Sequence, residues 1–158
     1  MVGKLNGARD AIVTEHHDRS GRTALIANEG DSIWLYLTEP GTTAIAADCW
    51  LFNRVIAPSG AVLKEQLPAY RSRGLPPPAP ADVTSERGVR QGPLQALHLR
   101  LEWSREGDAV AAKEGDHVIG FIIMEQRRGF SRFLVRESPW GAPFDDELYE
   151  RSFAPERG

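Results

Sequence analysis

The sequence predicts an all-β protein, with about eight or nine mainly antiparallel strands forming a barrel or a two-sheet sandwich, and a short C-terminal helix. Many short segments alternate apolar and polar residues, which is typical of strands with one buried face. Turns that contain glycine separate these segments, and glycine supplies the positive φ angles that hairpin turns require. With 158 residues, 41% of them hydrophobic, the chain is predicted to be a single domain spanning 1–158.

The first half of the chain contains four candidate strands with turn residues between them. They are Ala11–His17, Thr23–Asn28, Ser32–Thr38 and Ile45–Ile56. A shorter strand is predicted over Ala61–Glu65, after the turn at Pro58–Gly60. Each segment is rich in β-branched, aromatic or other apolar residues, as strands are.

Residues 66–92 are predicted to form a long proline-rich loop within the domain. Its segment Leu75–Pro80 contains four prolines. Proline lacks a backbone N–H and has a fixed φ, so this segment is excluded from a helix interior and from a central strand. We expect at most a short helix near Asp82–Arg87. A loop of this length inside a domain is usually functional or a linker.

The second half of the chain predicts a four-stranded antiparallel meander. In its first strand, four large apolar residues share one face, because side chains of a strand alternate between faces. The four predicted strands are Leu94–Trp103, Ala109–Lys113, His117–Glu125 and Phe130–Arg136. A helix follows from Phe144 to Phe153, with Asp145 as its N-cap and Leu148, Tyr149 and Phe153 as its apolar stripe.

Composition excludes several classes of protein. Cys49 is the only cysteine, so no internal disulfide can form. The formal net charge is −3, and general nucleic-acid binding normally needs a basic domain, so nucleic acid is an unlikely partner. No apolar run approaches the roughly 20 residues that span a bilayer, and the first ten residues lack a signal-type apolar region. We therefore expect a cytoplasmic protein with no membrane contact and no cofactor.

The most informative pattern lies in the pair of segments Ile33–Leu37 and Cys49–Asn53. If these strands pair around a turn centred near Thr43, Trp34 faces Phe52 and Tyr36 faces Trp50. The four aromatic rings then share one face, with a charged residue at either end. Because both faces of this pair are apolar, the aromatic face is either packed core or the wall of a ligand cavity or partner surface.

The function that this pattern favours is a non-catalytic binding module. It would hold a small apolar ligand, or the apolar surface of a protein partner, against the aromatic face, with the charged residues setting orientation. The predicted ligand-binding residues are Trp34, Tyr36, Asp48, Trp50, Phe52 and Arg54. No residue is assigned as catalytic or as a metal ligand. A homodimer fits a β-rich domain with excess apolar surface, but no residue pattern specifies one.

A hydrolase-type or metal-dependent enzyme is the first alternative. It would use His17, His98 or His117, with Asp116 as the carboxylate. No spacing of these histidines enforces a metal site, and no nucleophile elbow or phosphate-binding loop occurs. Cys49 lies in the middle of a predicted strand, where a buried thiol is expected rather than a reactive thiolate.

Anion or nucleic-acid binding through the arginine-rich hairpin 126–136 is the second alternative. Arg127, Arg128 and Arg132 would carry it, because arginine next to aromatic residues suits phosphates and stacked bases. The competing interpretation is structural. Charges on an edge hairpin prevent strand aggregation, and they could pair with the acidic C-terminal helix.

Overall fold

The protein is mostly β, as the sequence predicts, and two packed β-sheets form its frame, which is one of the two architectures that the sequence left open. The computed structural model describes residues 10–154. The first sheet follows chain order through β1 (Asp10–His17), β2 (Arg22–Asn28), β3 (Ser32–Thr38) and β4 (Ile45–Asn53). The second sheet contains β5 (Leu99–Trp103), β6 (Ala109–Glu114), β7 (His117–Ile123), β8 (Arg128–Ser131) and β9 (Ala142–Pro143). Among these strands of residues 10–154, only β8 and β9 pair in parallel, and the two sheets do not close into a barrel, so they form a sandwich.

The register between β3 and β4 differs from the predicted one by two residues. Trp34 pairs with Trp50 and Tyr36 with Asp48, whereas the prediction placed Phe52 and Trp50 opposite them. The turn is centred earlier than expected, because the Glu39 amide donates to the carbonyl of Ala44.

A bulge in β4 also changes the face that Phe52 occupies. The register shifts between Ile33 and Trp34, so that Phe52 pairs with Ile33. Directly paired residues project to the same face of a sheet. Phe52 therefore lies on the face opposite to Trp34 and Trp50. The prediction that all four aromatic residues share one face of the sheet is wrong for Phe52.

The segment after β4 is a helix, α1 (Gly60–Arg73), where we predicted a short strand and the beginning of a loop. The Ser59 hydroxyl accepts a hydrogen bond from the Val62 amide, which caps the first turn. Gly74 ends the helix in the left-handed conformation, with φ 67°. Only Leu63 and Tyr70 are buried, so the apolar period that marks a helix is almost absent from the sequence.

The proline-rich loop therefore begins at Gly74 and lies against β4. Pro76, Pro78, Ala79 and Pro80 are buried, and a 3₁₀ turn follows at Glu86–Gly88. A second 3₁₀ turn, Leu94–Leu97, replaces the start of the predicted strand at 94–103. Its cap, His98, adopts a positive φ of 48°, which is incompatible with a continuous strand.

The side chain of Asn53 fixes this loop to the first sheet. Asn53 has no exposed surface. Its Oδ1 atom accepts hydrogen bonds from the Trp50 indole (2.9 Å) and from the Ala79 amide (2.8 Å). Its Nδ2 atom donates to the Ala79 carbonyl at 2.8 Å. One buried amide thus satisfies three polar groups that would otherwise be unpaired in the core.

Glycines allow the two sheets to approach closely. A Cβ atom added at Gly129 in β8 would lie 2.5 Å from the Cys49 Cβ in β4. A Cβ atom at Gly120 in β7 would lie 2.6 Å from a methyl group of Leu51. At these two glycines, the backbone of the second sheet therefore packs directly against side chains of the first sheet. Neither position has space for a larger residue.

The opposite face of the second sheet is covered by α2 (Asp146–Phe153), as predicted. Asp145 is the N-cap, and its carboxylate accepts a hydrogen bond from the Leu148 amide at 3.0 Å. Phe121 packs against Tyr149 and Phe153, with ring centroids 5.7 and 6.1 Å away. Among the helices of residues 10–154, none has the length and apolar character to cross a membrane.

We predict that Gly129→Ala destabilises the protein by about 1–3 kcal/mol, because the added methyl group would overlap Cys49 in a closely packed interface. Gly92→Ala is the matched control, since a Cβ atom there meets no neighbour within 4 Å. Urea denaturation measures the free energy of unfolding of both variants. Equal stability of the two would contradict the proposed close contact between β4 and β8.

We predict that Asn53→Ala costs at least about 3 kcal/mol, because three buried polar groups lose their partner. Asn53→Asp keeps the acceptor but replaces the donor to the Ala79 carbonyl and buries a charge. Burial raises the pKa of such a carboxyl above its unfolded-state value, so the folded variant binds more protons. The stability deficit of Asn53→Asp relative to wild type should therefore shrink as the pH falls, whereas that of Asn53→Ala should stay constant.

Candidate functional site

The predicted aromatic face is inside the packed core. Trp34 and Tyr36 are 2% exposed, and Trp50 and Phe52 are fully buried. The Trp34 indole donates to the Ser32 hydroxyl at 2.8 Å, so both tryptophan N–H groups have partners within the first sheet. Ligand binding at this face stays a prediction from the sequence. It would require these side chains to separate from their present neighbours.

The two charged residues of the predicted ligand-binding set, Asp48 and Arg54, lie in different environments. Asp48 lies opposite Tyr36, and burial raises the pKa of its carboxyl. The guanidinium of Arg54 donates to the backbone carbonyl of Arg90 at 2.5 Å. Arg54 therefore helps to fix the loop after the 3₁₀ turn at Glu86–Gly88.

The histidines of the enzyme alternative are divided between the two ends of the second sheet. The His17 ring lies 5.0 Å from that of Trp103, at one end of β5. His98 precedes the other end of β5, and His117 lies there too, paired with Glu114. The length of β5 separates the two groups, roughly 15 Å. Within residues 10–154, no three His, Cys, Asp or Glu side chains are arranged to hold a metal ion.

The arginines of the predicted anion-binding hairpin bind three different carboxylates. Arg127 pairs with Glu39 at 2.7 Å, and Arg128 pairs with Glu137 at 3.4 Å. Arg132 lies 3.6 Å from Asp146, in the acidic start of α2. Arg132 thus pairs with the acidic C-terminal helix, which is the structural interpretation of the hairpin charges. The three guanidinium groups do not converge on one site.

An open cleft of about 830 Å³ lies beside α2. Its walls come from the loop around Glu86–Gly88, the hairpin between β6 and β7, the end of β8 and the exposed side of α2. The apolar part of the lining consists of Val89, Val118, Ile119, Phe133 and the ring of Tyr149. The cleft contains Asp116, His117 and Arg132, which the sequence placed in two separate hypotheses.

Tyr149 is held in place at the cleft by the second sheet. Its hydroxyl donates to Glu102 of β5 at 2.5 Å. Burial and the neighbouring Glu102 carboxylate raise the pKa of the Tyr149 hydroxyl, so it remains protonated and continues to donate. Lys113 lies 3.5 Å from the same carboxylate. The α2 wall of the cleft is therefore attached to the sheet by polar as well as apolar contacts.

Two arginines at the cleft already have anionic partners. Arg90 forms a bidentate pair with Glu114, with both N–O distances 2.7 Å. This pair lowers the pKa of Glu114 through the hydrogen bonds from Arg90. The Arg132 guanidinium lies 3.6 Å from the centre of the Phe144 ring, and its Nε donates to the Val118 carbonyl at 3.1 Å.

Arg87 differs from these two arginines. Its guanidinium carbon lies 5.8 Å from the centre of the Phe133 ring, within the range of a cation–π contact. In the part of the chain that the structure describes, it forms no direct ion pair with a carboxylate, although its charge helps to lower the pKa of Glu114. Arg87 is exposed at the cleft, where it can meet a ligand.

No protein-family model matches the chain, and neither a curated protein nor a solved structure matches it.

Sequence reasoning missed most of the cleft. Arg87 and Arg90 lie in the long loop, whose length indicated a functional segment but singled out no residue. The sequence predicts no role for Glu114, and it places Tyr149 only in the apolar stripe of α2. The length of the loop was the one signal in the sequence that pointed to this region. The contact of the loop with the β6–β7 hairpin cannot be predicted from the spacing of residues.

We predict that Arg90→Gln raises the pKa of Glu114 toward its ordinary value, since the charged hydrogen bonds that favour the carboxylate are removed. Arg100→Gln is the control, because Arg100 pairs with exposed Asp116 on the same hairpin. NMR titration of the Glu114 carboxyl measures the change. In the wild type, the stabilisation from this pair is complete above the unfolded-state pKa and is lost as the pH falls through the lower folded-state pKa. An unchanged pKa in Arg90→Gln would contradict the assignment.

Proposed function

We propose that the protein is a non-catalytic binding module that holds a segment of a partner polypeptide in the cleft beside α2. The observation that carries the proposal is the cleft itself, whose lining mixes apolar residues, charged residues of both signs and an exposed arginine. The proposal keeps the class of function that the sequence favours and moves the binding site from the aromatic face to the cleft.

The dimensions and composition of the cleft support this proposal. A volume of about 830 Å³ lies within the usual range of ligand clefts, which is roughly 300–1,000 Å³. The lining of the cleft combines apolar residues with charged residues of both signs, and protein interfaces likewise combine apolar and polar surface. Arginine and tyrosine are enriched among the residues that dominate binding energy, and both occur here. An open cleft of this kind suits an extended chain better than a fully enclosed small ligand.

The arrangement of nucleophile and base candidates gives less support to an enzyme. Cys49 is fully buried, and burial raises the pKa of its thiol far above the physiological range. A thiol in that state is neither nucleophilic nor accessible. His117 lines the cleft, but His17 lies at the far end of the sheet. A homodimer and a cytoplasmic location, both predicted from the sequence, are compatible with a binding module.

A selection from a displayed library of random peptides tests the proposed function. We expect wild-type protein to enrich a set of related peptides. Val89→Trp should weaken their binding at least tenfold, because the indole would occupy the cleft that Val89 lines. Val135→Trp is the matched control, since Val135 is 55% exposed and is not among the lining residues of the cleft. Circular dichroism confirms that both variants fold.

The result is decided by the comparison of the two variants. Equal affinity of Val89→Trp and Val135→Trp for the selected peptides would place binding elsewhere. Failure of wild-type protein to enrich any peptide would argue against the proposed function as a whole.

A further inference from the structure

Most charged residues of the cleft lie in ion pairs, and the two that remain outside such pairs indicate where a charged ligand group can bind. Glu114 pairs with Arg90, and Asp146 lies near Arg132. Asp116 pairs at 3.1 Å with Arg100, which is not among the lining residues. Arg87 and Glu150 are the lining residues of opposite charge left outside these pairs.

The backbone next to Arg87 is closely packed. A Cβ atom added at the neighbouring Gly88 would lie 3.0 Å from the Trp50 ring and 3.1 Å from the Phe133 Cβ. The Gly88 amide donates to the Ser85 carbonyl at 3.0 Å. The 3₁₀ turn is thus packed directly on the core. A cation held on a fixed backbone loses less entropy on binding than one on a mobile loop.

Phe133 supports the guanidinium from below. It is 3% exposed, so its ring forms a fixed platform. The guanidinium lies within cation–π range of this ring, and Arg87 itself is exposed, so its N–H donors are accessible to a carboxylate, which can accept two hydrogen bonds from arginine. The position is therefore suited to a planar anionic group at the cleft, next to the apolar lining that would receive the rest of the ligand.

We infer that the polypeptide segment bound in the cleft is acidic, and that the side-chain carboxylate of one of its Asp or Glu residues pairs with Arg87. Arg87 is thereby the residue that determines specificity. This inference rests on the proposed function of the cleft and adds the chemical class of its ligand. Glu150 disfavours a second acidic group on its own part of the cleft, so the ligand carries its acid at a defined position.

Affinities of the selected peptides test the inference. The peptides are amidated at the C-terminus, so that no terminal carboxylate contributes, and each Asp or Glu is exchanged in turn for Asn or Gln. We expect one exchange to weaken binding to wild-type protein about tenfold or more, and to have little effect on binding to Arg87→Gln. The affinity of the selected peptides for wild-type protein should fall as salt is added to a buffer of low ionic strength, because the pair between the peptide carboxylate and Arg87 lies at an exposed position.

Two further variants make the outcome specific to Arg87. Arg151→Gln removes an exposed arginine of α2 that is not among the lining residues, and we expect it to bind like the wild type. Arg87→Glu should select peptides with Lys or Arg where the wild type selects an acid. Equal effects of the acid-to-amide exchange in wild type and Arg87→Gln would overturn the inference.

The design separates failure of the inference from failure of the proposed function. If wild-type protein selects neutral peptides that Val89→Trp no longer binds, the acidic ligand is wrong and the binding cleft stands. If no selected peptide depends on the cleft, both are wrong.

Discussion

The buried amide of Asn53 is the interaction on which the rest of the arrangement depends. It joins the last residue of β4 to the Trp50 ring and to Ala79 in the proline-rich loop. Its backbone carbonyl accepts from the Arg90 amide at 2.9 Å, so the same residue also holds the end of that loop. The proline-rich segment cannot form a ladder of its own because proline has no N–H, and the asparagine side chain supplies the missing partner.

Fixing the loop has two consequences at the edge of β4. The edge is covered, since the Trp50 amide donates to the Trp140 carbonyl and Asn53 forms a bridge with Val89. A covered edge cannot pair with another chain. The loop also carries Arg87 and Arg90 to the β6–β7 hairpin, where Arg90 meets Glu114. The contacts of Asn53 with Ala79 and with the Arg90 amide therefore help to position the charged residues of the loop that line the cleft.

Local patterns in the sequence were sufficient for most of the strands and for α2. Alternation and glycine turns depend on a few adjacent residues, and so does the N-cap at Asp145. Helix α1 was missed because its two buried side chains, Leu63 and Tyr70, leave no apolar stripe. Its capping residues Ser59 and Gly74 were the available signal. The β3–β4 register was wrong because a bulge and a turn centre are set by packing rather than by alternation.

The residue pattern was enough to predict the all-β, mainly antiparallel fold class, the need to cover both faces of β3 and β4, and the acidic, capped helix at the end of the described chain, but it left barrel and sandwich open. Each of these follows from the polarity of neighbouring residues. Only the tertiary structure decided that the aromatic face is closed and that Arg87, His117, Arg132 and Tyr149 surround one cleft. These residues come from four separate segments, and no rule of spacing along the chain relates segments that are joined only by packing.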